Sequence, residues 1–198
     1  MNFRSEQTAI SVNHSRTSEI LRDILRSNPI SKCLDYGLGT GRNVKYIAEQ
    51  TGVYIDGCDI REQLTRSNKQ HNLLREKGSI ICEPNNLDDN SYNYVINSHV
   101  LNVICDDNIK VFVLKDIFNK LKQGGKAFIE VRTQHDIESS KTKERFGAGW
   151  KIKKGKNYTY QEAIEKNKMV SMIENVGFTI EKHVFNKSRH IVIASKSF

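Results

Sequence analysis

The chain has 198 residues, 37% of them hydrophobic and 27% charged, which suits one soluble domain with a sizeable core and no need of disulfide staples. No apolar run approaches the roughly 20 residues of a membrane helix, and Met1-Asn2-Phe3-Arg4-Ser5-Glu6 lacks a signal-peptide core, so a cytoplasmic protein is expected. The net charge of +8 favours polyanions or anionic small molecules, without speaking to fold.

Residues 1–14 are polar apart from Phe3 and Ala9-Ile10 and read as an irregular N-terminal arm. Ser15 or Thr17 caps a helix to about Ser27, with Ile20, Leu21, Ile24 and Leu25 on one face, and Pro29 stops it. A first strand, Ile30 to Leu34, runs through Asp35-Tyr36 into Gly37-Leu38-Gly39-Thr40-Gly41. A helix with Val44, Ile47 and Ala48 follows and ends near Gly52. Alternate glycines leave a bare loop at the carboxyl end of a strand, where an open α/β sheet holds its ligand. The spacing is G-x-G-x-G after an aspartate, not the G-x-G-x-x-G of dinucleotide binders. The next apolar run, Val53 to Cys58, ends at Asp59, which is placed to accept hydrogen bonds from two ribose hydroxyls.

Arg61 to Glu76 reads as a second helix of the same kind, and Ser79 to Cys82 as strand three. The loop from Glu83 to Asn90 is rich in turn formers. Strand four is Tyr94 to Asn97, continuing into Ser98-His99-Val100-Leu101-Asn102-Val103-Ile104. Asp106-Asp107 cap a helix from about Asn108 to Lys122, Gly124-Gly125 end it, and Lys126 to Val131 is strand five. After a polar segment, a helix from Tyr160 to Asn175 closes at Gly177. Phe178 to Val184 and His190 to Ala194 make a final hairpin around Asn186-Lys187-Ser188. The four cysteines are isolated, with no Cys-x-x-Cys pair or histidine at ligand spacing. Reduced thiols are expected, and no metal site.

Asp35 with the glycine loop, Asp59, and the segment after strand four resemble the S-adenosylmethionine (SAM) site of class I methyltransferases. The resemblance implies one domain over 1–198: a Rossmann-like α/β fold with a seven-stranded, mostly parallel sheet, an antiparallel last strand and helices on both faces. It implies SAM as cofactor and S-adenosylhomocysteine as product. Asp35 would orient the loop and the methionine amino group, Gly37, Gly39 and Gly41 would pass under the cofactor, and Asp59 would bind the ribose. Glu83 and Asn86 are the adenine candidates, Asn97 and Ser98 would also bind the cofactor, and the first residues of the segment from Ser98 to Ile104 would face the methyl group. Three segments (Gln7 to Ser11, Cys33 to Gly37, Tyr94 to Ile104) are further similar to the methyltransferases encoded beside bacterial DNA phosphorothioation genes.

Methyl transfer from a sulfonium needs donor and acceptor held close, aligned and dry, and no covalent nucleophile unless carbon is the acceptor. Carbon-5 cytosine enzymes carry Pro-Cys at the end of strand four and adenine-amine enzymes Asn/Asp-Pro-Pro-aromatic. This chain has Asn97-Ser98-His99 there, so both base chemistries lose weight. His99 is either a general base for a nitrogen or oxygen acceptor or a packing residue at the start of a helix. Asn97 either orients the acceptor or is a satisfied strand end. Glu130 and Arg132 either reach a charged acceptor or are the outward side chains of a strand.

Residues 133–157 read as a basic lid or insertion. Between Lys141 and Lys156 seven cations stand against Glu144 alone, interleaved with Phe146 and Trp150 and with Gly147 and Gly149. Cations among flat rings suit phosphate contact with base stacking; the alternative is a solvated loop anchored by its tryptophan. A nucleic-acid acceptor is therefore preferred, with a small anionic metabolite or a non-catalytic SAM-binding role as rivals.

Overall fold

The computed structural model describes residues 17–28, 31–138, 143–154, 157–185 and 187–197. The expected N-terminal arm, Pro29, Ile30, Lys141, Lys156 and Asn186 lie outside them.

In chain order the helices are α1 (Glu19–Arg26), α2 (Arg42–Thr51), α3 (Arg61–Arg66), α4 (Asn68–Glu76), α5 (Asp107–Lys120), α6 (Gln134–Glu138) and α7 (Lys166–Glu174). The strands are β1 (Cys33–Tyr36), β2 (Asp56–Cys58), β3 (Ile81–Cys82), β4 (Tyr92–Ser98), β5 (Leu121–Arg132), β6 (Lys143–Phe146), β7 (Gly149–Lys154), β8 (Asn157–Gln161), β9 (Thr179–Phe185) and β10 (Arg189–Ser195). Seven of them form one sheet in the order β3-β2-β1-β4-β5-β10-β9, with β10 antiparallel to both its neighbours. The first five run parallel. This is the expected seven-stranded fold, and its order reverses between β1 and β4, where an open α/β sheet binds its ligand.

Both faces of the sheet are covered because its central strands are apolar on both sides. Cys33, Ile96, Phe128, Ile191 and Ile193 pack under α1, α2 and α4 through Leu21, Ile24, Leu25, Val44, Ile47 and Leu74. Leu34, Tyr36, Val95, Ile129, Val131 and Val192 pack under α5 and α7 through Val113, Leu114, Ile117, Met169, Met172 and Ile173. The α1 stripe is the 3–4 spacing of Leu21, Ile24 and Leu25. Its cap is Ser18, whose Oγ accepts the Leu21 N–H, rather than Ser15 or Thr17. Asp106 caps α5 by accepting the Asn108 N–H, as expected.

Three local expectations are corrected. The helix read over Arg61 to Glu76 breaks at Ser67, whose left-over turn is held by the buried Gln63 donating to Ser67 Oγ. The α5 helix stops at Lys120 and leads straight into β5, which bulges between Leu121 and Lys126 with Gly124 at φ 74°. The helix read from Tyr160 begins only at Lys166, because Tyr160 and Gln161 belong to β8.

That strand is part of a second sheet. Residues 143–154 and 157–161 form three antiparallel strands in the order β6-β7-β8 within and just beyond the region read as a basic lid or insertion. Its first turn is the two residues Gly147-Ala148, with Gly147 at φ 55°.

Candidate active site

The three glycines all hold left-handed backbone, at φ 79°, 58° and 80° for Gly37, Gly39 and Gly41. Two are also packed against the protein. A Cβ on Gly37 would stand 2.2 Å from Cγ2 of Val100, and one on Gly41 2.5 Å from Cδ1 of Leu74. The loop is thus clamped from the turn after β4 and from α4.

Asp59 stands at the end of β2 beside this loop. Its Oδ2 accepts the Gly39 N–H and its Oδ1 the Ile60 N–H, each at 2.8 Å. The Gly39 carbonyl accepts from Nε2 of the buried His71, also at 2.8 Å, so the peptides on both sides of the middle glycine are held. Burial pushes the Asp59 carboxyl up to about 7, against those two amides, which pull it down.

Asp35 is fully buried at the end of β1. Its Oδ1 accepts from Nδ2 of Asn43 at 3.0 Å, and Asn43 Oδ1 in turn accepts the Thr17 hydroxyl. Thr17, which precedes the α1 cap Ser18, is thereby tied through Asn43 of α2 to the end of β1. Burial pushes the Asp35 carboxyl up to about 6, with Asn43 and then Arg42 opposing.

The end of β4 carries the other candidates. Asn97 is fully buried and donates to the Tyr36 carbonyl at 3.2 Å. Ser98 accepts from Nη2 of Arg42 at 2.8 Å and donates to Oε2 of Glu130 across the β4–β5 pairing. His99 takes left-handed backbone, φ 64°, which only a few per cent of non-glycine residues adopt and which collects at functional sites. Its amide donates to the Glu130 carbonyl at 2.9 Å, and its Nε2 lies 3.5 Å from Glu130 Oε2. Glu130 is not the outward strand residue that simple alternation offers as one reading; it is fully buried, with its carboxylate facing Ser98 and His99.

Glu83 precedes, and Asn86 ends, the short 3-10 turn Pro84–Asn86 after β3. The Asp59 amide donates to the Cys82 carbonyl at 3.2 Å, which sets that turn beside Asp59, with Glu83 half-buried and Asn86 exposed.

Beyond His99 the chain is sewn to the small sheet. Asn102, fully buried, accepts the Arg132 amide and donates to the Glu162 carbonyl, while its own carbonyl accepts the Glu162 amide. Nη1 of Arg132 reaches Oε1 of Gln161 at 3.0 Å, and Arg132 and Arg189 both pair with Asp136. The last strand of the small sheet therefore sits against the carboxyl ends of β4 and β5. Arg42, Asn43 and His71 were not singled out by the sequence reading, and Val100 and Asn102 fell within the Ser98 to Ile104 segment without roles of their own.

Among the described residues no group of three or more His, Cys, Asp or Glu side chains could hold a metal ion, and no helix is long and apolar enough to cross a membrane. All four cysteines are free thiols.

A family model described as a methyltransferase domain matches residues 9–183. No curated protein matches the sequence. Solved structures share the fold. A Burkholderia thailandensis 1,6-didemethyltoxoflavin-N1-methyltransferase, holding 1,6-didemethyltoxoflavin and S-adenosylhomocysteine, is 17% identical, with a TM-score of 0.66 over 91% of this chain and 78% of that one. A Pyrococcus horikoshii protein is 16% identical, with a TM-score of 0.68 over 97% and 95%. A SAM-dependent methyltransferase from Methanosarcina mazei is 15% identical, with a TM-score of 0.66 over 92% and 99%.

The residues present suit such a cofactor. Oδ2 of Asp35 and Oδ1 of Asn97 are buried acceptors with no hydrogen-bond partner among the described residues, and Asp59 adds a second carboxylate to the loop. Two carboxylates beside bare glycines favour a ligand rich in donors, an ammonium and hydroxyls, and disfavour a pyrophosphate.

Proposed function

The chain belongs to the methyltransferase domain family, and on that premise we propose that it transfers a methyl group from S-adenosylmethionine to a nitrogen or oxygen acceptor carried by a nucleic acid. The observation that carries this reading is the constellation at the carboxyl ends of the central strands: the unpartnered acceptors of Asp35 and Asn97 and the carboxylate of Asp59 around the glycine loop, and His99 held against Glu130 beside it.

When bound, the sulfonium supplies an electrophilic methyl. The chain's own residues supply placement and proton handling. Asp35 and Asn97 present acceptors to the ammonium, Asp59 to the ribose hydroxyls, and Glu83 and Asn86 border the adenine end. Gly37, Gly39 and Gly41 keep Cβ atoms out of the way. Ser98 links Arg42 to Glu130, so it acts by positioning. His99 takes the proton that the acceptor loses, and Glu130 orients its imidazole and favours the cationic form that results. Asn97 stands one strand position before Ser98 and orients the acceptor.

The net charge and the cation-rich small sheet support a nucleic-acid acceptor. A specific observation favours a second reading, transfer to a small anion: β8 packs over the ends of β4 and β5, where Arg132 and Arg189 gather. The Burkholderia relative is likewise named for a small molecule.

Tritiated-methyl transfer from SAM, with single-stranded DNA, single-stranded RNA and a small-metabolite fraction as acceptors, tests this. Label in the nucleic acid, lost in a His99→Asn variant, supports the reading. Label only in metabolites replaces the acceptor, and tight SAM binding with no transfer to any fraction overturns catalysis.

A further inference from the structure

Strand pairing sorts the small sheet into two faces. Trp150, Ile152, Thr159 and Gln161 share one with Lys143 and Arg145, since Arg145 pairs with Trp150, Trp150 with Gln161 and Ile152 with Thr159. Ile152, Thr159 and Gln161 are buried, and Gln161 is the residue that meets Arg132. This is the inner face. Trp150 belongs to it and is covered by its own cations, Lys143 Nζ at 4.8 Å and Arg145 Cζ at 4.9 Å from the ring centre. The one tryptophan, the obvious stacking residue in the sequence, is thus half-buried on the face turned to Arg132.

The outer face is different. It carries Phe146 and Glu144 from β6, Lys151 and Lys153 from β7, and Tyr158 and Tyr160 from β8. Phe146 is 40% exposed and Tyr158 59% exposed. Lys153 pairs directly with Tyr158, and Lys151 lies 4.0 Å above the Phe146 ring centre. Tyr160 turns its hydroxyl to Glu162 and supports Phe146 edge-on at 6.2 Å. Each exposed ring is therefore accompanied by a lysine, on a chain of net charge +8.

We propose that this outer face binds single-stranded nucleic acid, with Phe146 and Tyr158 stacking on bases and Lys151 and Lys153 meeting the phosphates on either side. Rings flat on a sheet reach only unstacked bases, which a duplex does not offer, while the lysines supply the sequence-independent attraction to the backbone. The inference deepens the nucleic-acid reading of the acceptor and rests on it for its purpose. The surface holds the nucleic-acid strand, and the chemistry stays at the carboxyl ends of β4 and β5.

The test is fluorescence anisotropy of the full chain with a labelled single-stranded oligonucleotide, a duplex of the same length, and a salt series. The variants are Phe146→Ser with Tyr158→Ala, Lys151→Gln with Lys153→Gln, and the exposed single Tyr158→Ala. The aromatic pair is expected to weaken binding about tenfold or more with its salt slope unchanged. The lysine pair is expected to weaken binding and reduce the slope of log K against log salt by about 1.4. SAM affinity stays at the wild-type value in every variant, which certifies the fold. The proposal is overturned if the duplex binds as tightly as the single strand, or if Tyr158→Ala and the aromatic pair both bind like the wild type. Intact oligonucleotide binding with no methyl transfer counts against the proposed reaction and leaves this surface standing.

Discussion

Oε2 of Glu130 stands 3.5 Å from Nε2 of His99 and accepts the Ser98 hydroxyl, while the Glu130 carbonyl holds the His99 amide. One residue of β5 thus sets both the backbone and the side chain of the residue proposed as base. Asparagine tolerates left-handed backbone, so His99→Asn keeps the turn and removes the base. The expected outcome is a fall in kcat of about 10²–10⁴ with SAM affinity near wild type, measured by single-turnover kinetics and calorimetry. Glu130→Gln is expected to lower kcat by a smaller factor. Wild-type rates in His99→Asn remove the residue from the chemistry.

Cofactor affinity is expected to depend on pH through Asp35 and Asp59, whose carboxyls burial raises to about 6 and about 7. In the free protein each holds its proton above the ordinary carboxylate range, so their contribution to stability is greatest at low pH and is lost as pH rises through those values. An ammonium and hydroxyl donors prefer the ionised forms. SAM affinity therefore climbs from about pH 5 to about pH 8 and then levels off. Calorimetry across that range is the check. Asp59→Ala is expected to weaken binding at least about tenfold and to flatten the upper part of the climb.

The small sheet is expected to depend on a buried ion pair for its seat. Lys110 is wholly buried and meets Glu162 just after β8, which also accepts Tyr160 and Lys168. Lys110→Met leaves a buried carboxylate short of its main partner and is expected to cost about 3 kcal/mol in urea unfolding. The double variant Lys110→Met with Glu162→Met is expected to recover most of that loss. If the double variant falls as far as the single one, the packing of the stems and not the charge is what matters.

Two glycines separate backbone strain from crowding. Gly37 and Gly52 have similar φ, 79° and 73°, but a Cβ on Gly52 meets nothing within 4 Å, whereas one on Gly37 overlaps Val100. Gly52→Ala is expected to cost about 1 kcal/mol from conformation alone. Gly37→Ala is expected to cost clearly more and to be partly rescued by Val100→Ala, read from thermal or urea unfolding. Equal costs at the two sites contradict the clamp.

Much of the fold was legible in the chain because its signals are local. Glycines after Leu34-Asp35, an acid after Cys58, and alternating strands and helices ending in a hairpin each follow from the conformational limits and burial of neighbouring residues. The helix read from Tyr160 failed for a reason equally physical. Tyr160 and Gln161 are apolar and polar in a pattern that suits either state, and only pairing with Lys151 and Trp150 makes them a strand.

The sequence by itself determined the glycine loop, its two flanking carboxylates and the alternation of strands and helices, since each rests on spacing along the chain. The tertiary structure alone decided that Glu130 is buried against His99, that Arg42 meets it through Ser98, and that Trp150 shares a face with Ile152, Thr159 and Gln161 while Phe146 and Tyr158 are exposed on the other. Those facts depend on the register between strands far apart in sequence, and a shift of one residue in that register would turn every such side chain to the opposite face.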